Sequence, residues 1–120
     1  MASKKTLSVT KFLKKIMLEQ DFYKLAESAL IKLADDVEKM DKNSIFDVEY
    51  SDGILNIVND ATGQTYVINK HSASQKIWYS SPITGANYFL FDVNSSNWLD
   101  AKGENLSSKL FAELSDYQGF

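Results

Sequence analysis

The chain has 120 residues, of which 44% are hydrophobic, and it carries a net charge of −3 with no cysteine, no arginine and a single histidine, His71. This length suits one folded domain, and no apolar run approaches the ~18 residues that a membrane-spanning helix needs. The lack of cysteine excludes a disulfide framework, a thiolate zinc site and thiolate ligation of an iron–sulfur cluster, and one histidine excludes a His-rich metal centre.

The first 18 residues contain five lysines and no acidic residue. A basic, acid-free segment with serine and threonine is typical of a mitochondrial targeting sequence, although the usual arginines are missing. The alternative is a solvated tail or a cloning remnant. We therefore assign residues 1–18 to a basic N-terminal tail or targeting remnant and residues 19–120 to a single domain.

Residues 19–41 show the period of an amphipathic helix. Its predicted apolar stripe consists of Phe22, Leu25, Ala26, Ala29, Leu30, Leu33, Val37 and Met40. Ile31 interrupts the opposite, polar face, either as a harmless exposed residue or as part of a contact surface. The acidic character of residues 19–49 disfavours nucleic acid, whose phosphates would be repelled, and favours cations or a basic protein partner. Neither nucleic acid nor a membrane is expected as a partner.

From residue 45 the apolar period becomes two, as in half-buried strands, and Asp52-Gly53 marks a hairpin. The pattern predicts strands over residues 45–51, 54–58, 64–69, 76–80, 87–91 and 97–99, joined by short turns. Asn105 is a suitable N-cap for a final helix, in which Leu106, Leu110 and Leu114 lie four residues apart. The predicted class is therefore α+β: a two-layer α/β sandwich with N- and C-terminal helices packed on one face of a five- to six-stranded antiparallel sheet.

Motifs for enzyme chemistry are missing from this sequence. It contains no G-x-G-x-x-G or phosphate-binding loop and no G-x-S-x-G elbow, and His71 is its only candidate base. His71 is more simply explained as a loop residue. A hydrolase is therefore disfavoured, and no organic cofactor is expected.

Two groups of carboxylates are candidates for binding a hard cation. On a helical wheel Glu27, Asp35 and Glu38 share one exposed stripe, and Asp47 and Glu49 share one face of the first strand. Carboxylates with water suit iron or similar ions in weak sites, but no tight ligand loop or Glu-x-x-His pair is present. The alternative is a solvated helix face, which the interleaved lysines favour.

Trp78 is a candidate contact residue. In the predicted strand Lys76–Ser80, Ile77 and Tyr79 share one face and Trp78 takes the other, so Trp78 points away from the helices. A large aromatic residue on an open sheet face suggests a binding site, because tryptophan is enriched in binding hot spots. The alternative is that a loop or the tail covers it.

Two stretches of the sequence are distinctive: Tyr66-Val67-Ile68-Asn69-Lys70, and Lys76-Ile77-Trp78-Tyr79-Ser80-Ser81-Pro82 with Gly85. Together they resemble the signature of the frataxin family. The resemblance extends to Phe46-Asp47-Val48 and Asp52-Gly53-Ile54-Leu55, to Phe22–Glu27 and to Gly103–Leu114. The motif is more similar to that of mitochondrial frataxins than to that of bacterial relatives. The resemblance covers about residues 19–115.

Membership of this family would imply an accessory role in iron–sulfur cluster assembly. The protein would bind the complex of cysteine desulfurase and its iron–sulfur scaffold protein, stimulate sulfur transfer and bind iron weakly at its surface. The alternative implied by the family is a ferroxidase or iron chaperone that acts through an acidic ridge, so whether the protein is an enzyme stays open. A monomer located in the mitochondrial matrix, or in a mitochondrion-derived organelle, is expected.

The resemblance also assigns residues to these roles. The implied metal-binding residues are Glu27, Asp35, Glu38, Asp47 and Glu49. The implied partner-binding residues are Asn69, Lys70, Gln75, Lys76, Trp78 and Pro82.

The chain departs from the family pattern in two places. Lys24, Ile31 and Lys39 stand where relatives often carry acids, which weakens the ferroxidase interpretation. The stretch Ala86-Asn87-Tyr88-Phe89 lacks the basic residue expected before the aromatic, which puts one partner contact in doubt.

Overall fold

A computed structural model describes residues 18–120, and the predicted N-terminal tail therefore lies outside the described residues apart from Leu18. The chain order is one helix, six strands and a second helix. The elements are α1 (Glu19–Met40), β1 (Phe46–Ser51), β2 (Ile54–Asn59), β3 (Thr65–His71), β4 (Lys76–Ser81), β5 (Gly85–Asp92), β6 (Asn97–Leu99) and α2 (Leu106–Leu114). Between residues 18 and 120, neither helix is long and apolar enough to cross a membrane.

The sheet is antiparallel throughout and its strands lie in chain order, β1 to β6. Short turns produce this meander, because antiparallel neighbours can be joined by a few residues. Asp52 and Gly53 both have positive φ, at 49° and 75°, in the β1–β2 hairpin. The predicted Asp-Gly turn is thus present, and the α+β two-layer architecture is confirmed.

The core lies between the helices and one face of the sheet. Alternate residues of the central strands are fully buried there, namely Leu55 and Ile57, Tyr66 and Ile68, and Ile77 and Tyr79. The α1 stripe that covers them includes Phe22, Ala26, Leu30, Leu33 and Val37, as predicted, together with Ala34. Met40 was also predicted for this stripe and is 50% exposed, because α1 ends at this residue and the chain turns away towards β1.

The second helix begins as the sequence predicts. The side chain of Asn105 accepts a hydrogen bond from the Ser108 backbone N–H at 3.2 Å, which caps the first turn. Leu106, Leu110 and Leu114 are all buried against the sheet.

Beyond α2 the chain continues to pack on the core. The ring of Tyr117 meets that of Phe46 edge to face at 5.1 Å between centroids, and the ring of Phe120 does so at 5.8 Å. These contacts hold the C-terminal residues over the start of β1. Aromatic pairs of this geometry contribute about 1 kcal/mol beyond their buried area.

Candidate protein-binding face and acidic helix

No helix within residues 18–120 covers the second face of the sheet. Because strand residues alternate between faces, each neighbour of a buried core residue points to this open face. The strand register places Ile54, Asn69, Trp78 and Tyr88 opposite one another in one row across β2, β3, β4 and β5. The adjacent row contains Lys76 and Leu90. Side chains from four strands therefore meet in the middle of the open face.

Trp78 forms the centre of this row. Its ring meets the ring of Tyr88 edge to face with 4.4 Å between centroids. The ammonium group of Lys76 lies 5.1 Å from the centroid of the Tyr88 ring, within the range of a cation–π contact. Trp78 is half-buried and Tyr88 is 43% exposed, so the aromatic pair is supported by its neighbours and still open to a partner.

The structure gathers most of the predicted partner-binding residues at one side of the molecule. Asn69, Lys76 and Trp78 project from the open face. Gln75 is half-buried in the β3–β4 turn, with a φ of 54°, and Pro82 is exposed in the β4–β5 turn. These turns lie at opposite ends of β4, so the predicted set spans the length of that strand.

Lys70 is the one predicted partner-binding residue that lies on the other face. It follows Asn69 in β3, and its ammonium group sits 3.1 Å above the centroid of the Tyr23 ring in α1. Its side chain also crosses Gly53 so closely that a Cβ added there would be 2.6 Å from the Lys70 Cε. Lys70 therefore joins α1 to the end of β3 and does not reach the row around Trp78.

The predicted metal-binding residues fall into two separate groups. Asp35 and Glu38 are exposed on α1, and Glu27 is half-buried near the end of β1. Burial raises the pKa of Tyr50 in β1, and the negative charge of Glu27 raises it further. The Glu27 carboxylate therefore lies near β1. Asp47 and Glu49 are exposed and project from the open face of β1, away from α1.

This separation limits how iron could be held. Among residues 18–120 no group of three or more carboxylate or imidazole side chains is close enough to form a metal cage. The residues present fit individual, hydrated carboxylate contacts to a hard cation rather than a preformed chelating site.

Three exposed apolar residues of the open face were not predicted as part of the site: Ile54, Tyr88 and Leu90, which are 42%, 43% and 48% exposed. Strand alternation was the signal that could have found them. Tyr88 and Leu90 flank the buried Phe89, and Ile54 precedes the buried Leu55. Together with Trp78 they make the centre of the open face apolar.

A buried polar network joins α2 to the sheet, and sequence analysis did not identify it. The carboxylate of Glu113 accepts hydrogen bonds from the hydroxyls of Tyr79 at 2.7 Å, Thr84 at 3.0 Å and Ser81. Lys109 lies 3.6 Å away, and the Glu113 side chain is only 10% exposed. Burial alone would raise the pKa of Glu113, but the hydrogen bonds and the Lys109 charge outweigh it and lower that pKa.

This network is a structural one. Its hydroxyl donors come from β3, where Tyr66 donates at 3.4 Å, from β4 and from the following turn. Its acceptor comes from α2, and the donors surround the buried carboxylate. The hydroxyl partners of Glu113 lie 29 to 47 residues away in the chain, and Lys109, four residues before it on α2, is its local partner. No local sequence pattern therefore marks the network.

Comparison with known proteins agrees with this geometry. Residues 15–119 match the family model described as a frataxin-like domain. Mitochondrial frataxin of Arabidopsis thaliana is 31% identical over 101 residues, which cover 82% of this chain and 54% of the relative. Mitochondrial frataxin of Dictyostelium discoideum is 40% identical over 70 residues, covering 58% of this chain and 36% of the relative.

A solved structure of trimeric yeast frataxin from Saccharomyces cerevisiae, complexed with ferrous iron, is also similar. It superimposes with a TM-score of 0.64 at 34% identity and covers 76% of this chain and 82% of the yeast chain. This chain spans about half the length of the Arabidopsis relative. The curated relatives are named mitochondrial, which confirms the mitochondrial location expected from the sequence.

Proposed function

The chain belongs to the frataxin family, and from that premise we propose that it is an accessory protein of iron–sulfur cluster assembly. It binds the complex of cysteine desulfurase and its scaffold protein, stimulates sulfur transfer to the scaffold and binds iron weakly at its surface. The observation that carries the proposal is the aromatic pair Trp78–Tyr88 on the sheet face opposite to α1 and α2.

The open face has the composition of a protein-binding surface. Its centre is aromatic and aliphatic, and its margin carries Lys76 on one side and the carboxylates of Asp47 and Glu49 on the other. Buried aromatic anchors contribute most of the binding energy in such interfaces, whereas the charged margin orients the partner and speeds association.

Stimulation requires more than binding. A protein that contributes no cysteine and no catalytic base acts on an enzyme complex by binding its productive conformation more tightly than its resting one. The rigid sheet suits this role, because Trp78 is held between neighbouring strands and loses little freedom when a partner covers it.

The test measures sulfur transfer by the desulfurase–scaffold complex with and without this protein. We expect the wild-type chain to accelerate transfer and Trp78→Ala to lose most of the acceleration through at least about tenfold weaker binding, as hot-spot truncations do. Ile31→Ala, which truncates an exposed apolar residue on the outer face of α1, is the matched control and should behave as wild type.

Circular dichroism and urea unfolding would establish that both variants are folded. Full acceleration by folded Trp78→Ala, or none by the wild type, would contradict the proposal.

A ferroxidase or iron-chaperone role is the second candidate, favoured by the yeast neighbour complexed with ferrous iron. In that case iron is cargo, carried by the exposed carboxylates of α1 and β1. Charge reversal of Glu27, Asp35 and Glu38 to lysine should then weaken iron binding measured by calorimetry, because attraction of the cation is replaced by repulsion.

The control for that experiment reverses three exposed acids outside α1, Asp60, Glu104 and Asp116, which changes the net charge equally and leaves α1 intact. Equal loss in both variants would mean that only net charge matters and that α1 is not the binding surface. Oxygen consumption during the titration distinguishes oxidation of iron from simple binding.

A further inference from the structure

A groove of about 350 Å³ lies on the helical side of the molecule, on the opposite layer from the open sheet face. One wall is a stripe of α1 that includes Leu25, Ala29 and Leu33. Those positions are four residues apart and so lie on one side of the helix. The other wall is the start of α2 with Leu106 and Ser107. The small side chain of Ala29 leaves space between the two helices.

The floor of the groove is apolar and rigid. Trp98 from β6 is 7% exposed and packs edge to face against Phe91 of β5, with 5.4 Å between ring centroids. The ring of Phe22 packs edge to face against that of Trp98, with 6.0 Å between centroids. Leu33 and Leu106, in the two walls, are only 4% and 3% exposed and belong to the same hydrophobic core as Trp98.

The rim is polar but carries no net charge. Lys32 and Asp36 both line it and pair with each other at 2.9 Å, and the other polar residues of the lining are serines and asparagines. An ionic ligand would have to break that pair, whereas an uncharged ligand with one polar end leaves it intact. The volume is at the lower end of the range of small-molecule sites, roughly 300–1,000 Å³.

From this geometry we propose that the groove between α1, β5–β6 and α2 binds a small, uncharged amphiphile. The aliphatic or aromatic body of the ligand rests on Trp98 and Phe91, and its polar end faces the serine and asparagine side chains of the rim. The site is separate from the face that carries Trp78, so binding there leaves the partner-binding row accessible.

Trp98 provides a direct readout of this site. The chain has two tryptophans, and in a Trp78→Phe background only Trp98 fluoresces. We titrate bromooctanol, whose bromine quenches tryptophan on contact, and then compete with unbrominated octanol. We expect saturable quenching that octanol reverses.

Two variants fill the groove from opposite walls, Ala29→Phe on α1 and Ser107→Phe on α2. Each should weaken the quenching about tenfold or more, since a filled pocket excludes the ligand body. Ala112→Phe, an equal change at an exposed position of α2 outside the groove, should leave it unchanged. Urea unfolding of each variant shows that the fold is retained.

Non-saturable quenching, or equal quenching in all three variants, would overturn the proposal. Concentration-dependent self-association that Ala29→Phe abolishes would also overturn it and would identify the groove as a contact between copies of the chain. The readout uses the isolated protein, so a negative result here leaves the proposed role in cluster assembly untouched.

Discussion

Glu113 is a single residue that connects three parts of the fold. Its carboxylate joins α2 to Tyr66 of β3, to Tyr79 and Ser81 of β4 and to Thr84 in the next turn. Hydrogen bonds to a charged acceptor are stronger than neutral ones, and donors left unpaired in a buried site are costly.

Glu113→Gln should therefore lower the free energy of unfolding by about 2 kcal/mol. The amide keeps the shape of the side chain but carries no charge. It also replaces one acceptor oxygen by an NH2 donor, which then faces hydroxyl groups that had been donating to that oxygen. Urea unfolding gives the value. Glu38→Gln, at an exposed position of α1, is the control and should stay within about 0.5 kcal/mol of wild type.

The lowered pKa of Glu113 predicts how stability depends on pH. The unfolded chain binds a proton at this carboxyl near pH ~4.3 and the folded chain only at lower pH. The stabilisation is complete above the unfolded pKa and is lost as the pH falls through the folded pKa. Unfolding curves from pH 7 downwards should show a smaller acid loss in Glu113→Gln; identical pH profiles would contradict this assignment.

At the scale of elements, Asp41 sets the angle between α1 and β1. It is 8% exposed and its carboxylate accepts the backbone N–H groups of Ile45 at 2.9 Å and Phe46 at 2.8 Å. Asp41 caps the end of α1 and also binds the first residue of β1. Its hydrogen bonds therefore hold the short connection in one conformation.

Asp41→Ala removes both acceptors and leaves two backbone donors without their partner. We expect a loss of about 2–3 kcal/mol in the free energy of unfolding and faster hydrogen exchange at the start of β1. Asp60→Ala, an exposed aspartate in the β2–β3 turn, is the matched control. A loss of equal size in both variants would refute a special role for Asp41.

Strand alternation separated core from surface in the sheet because its period of two is set by the backbone. It assigned Ile77 and Tyr79 to the covered face and Trp78 to the open one, and the structure agrees. The same rule places Lys70 on the face of the sheet opposite to that of Asn69. The resemblance grouped these neighbours as partner-binding residues, and only the contact with Tyr23 shows where Lys70 goes.

At the scale of the whole molecule, the six strands between residues 18 and 120 form a sheet whose edge strands are β1 and β6. The edge strand β1 carries the exposed carboxylates of Asp47 and Glu49, and charges near an edge discourage strand pairing between copies. A monomer is the expectation from sequence, whereas the similar yeast structure is of a trimer.

Sedimentation velocity decides between these states. We expect the wild-type chain to sediment as a monomer, and Asp47→Val with Glu49→Val to self-associate because the open face then becomes apolar up to its edge. Asp60→Val, a single change at a turn, is the control. A wild-type trimer at low micromolar concentration would show that the charged edge does not prevent assembly.

The sequence by itself determined the order of elements, the two-layer class and the family. Those properties follow from local periodicity, turn residues and a motif of contiguous residues, which are readable without knowing what lies opposite. It also determined that Trp78 points away from the helices, because side-chain direction in a strand depends only on parity.

Only the tertiary structure decided which side chains meet. The pairing of Trp78 with Tyr88, the network around Glu113 and the groove above Trp98 each join residues from different elements. Such contacts depend on strand register and helix placement, which no local pattern encodes. The same placement puts the acids of α1 and of β1 on separate surfaces, and it leaves the aromatic row as the most concentrated feature of the open face.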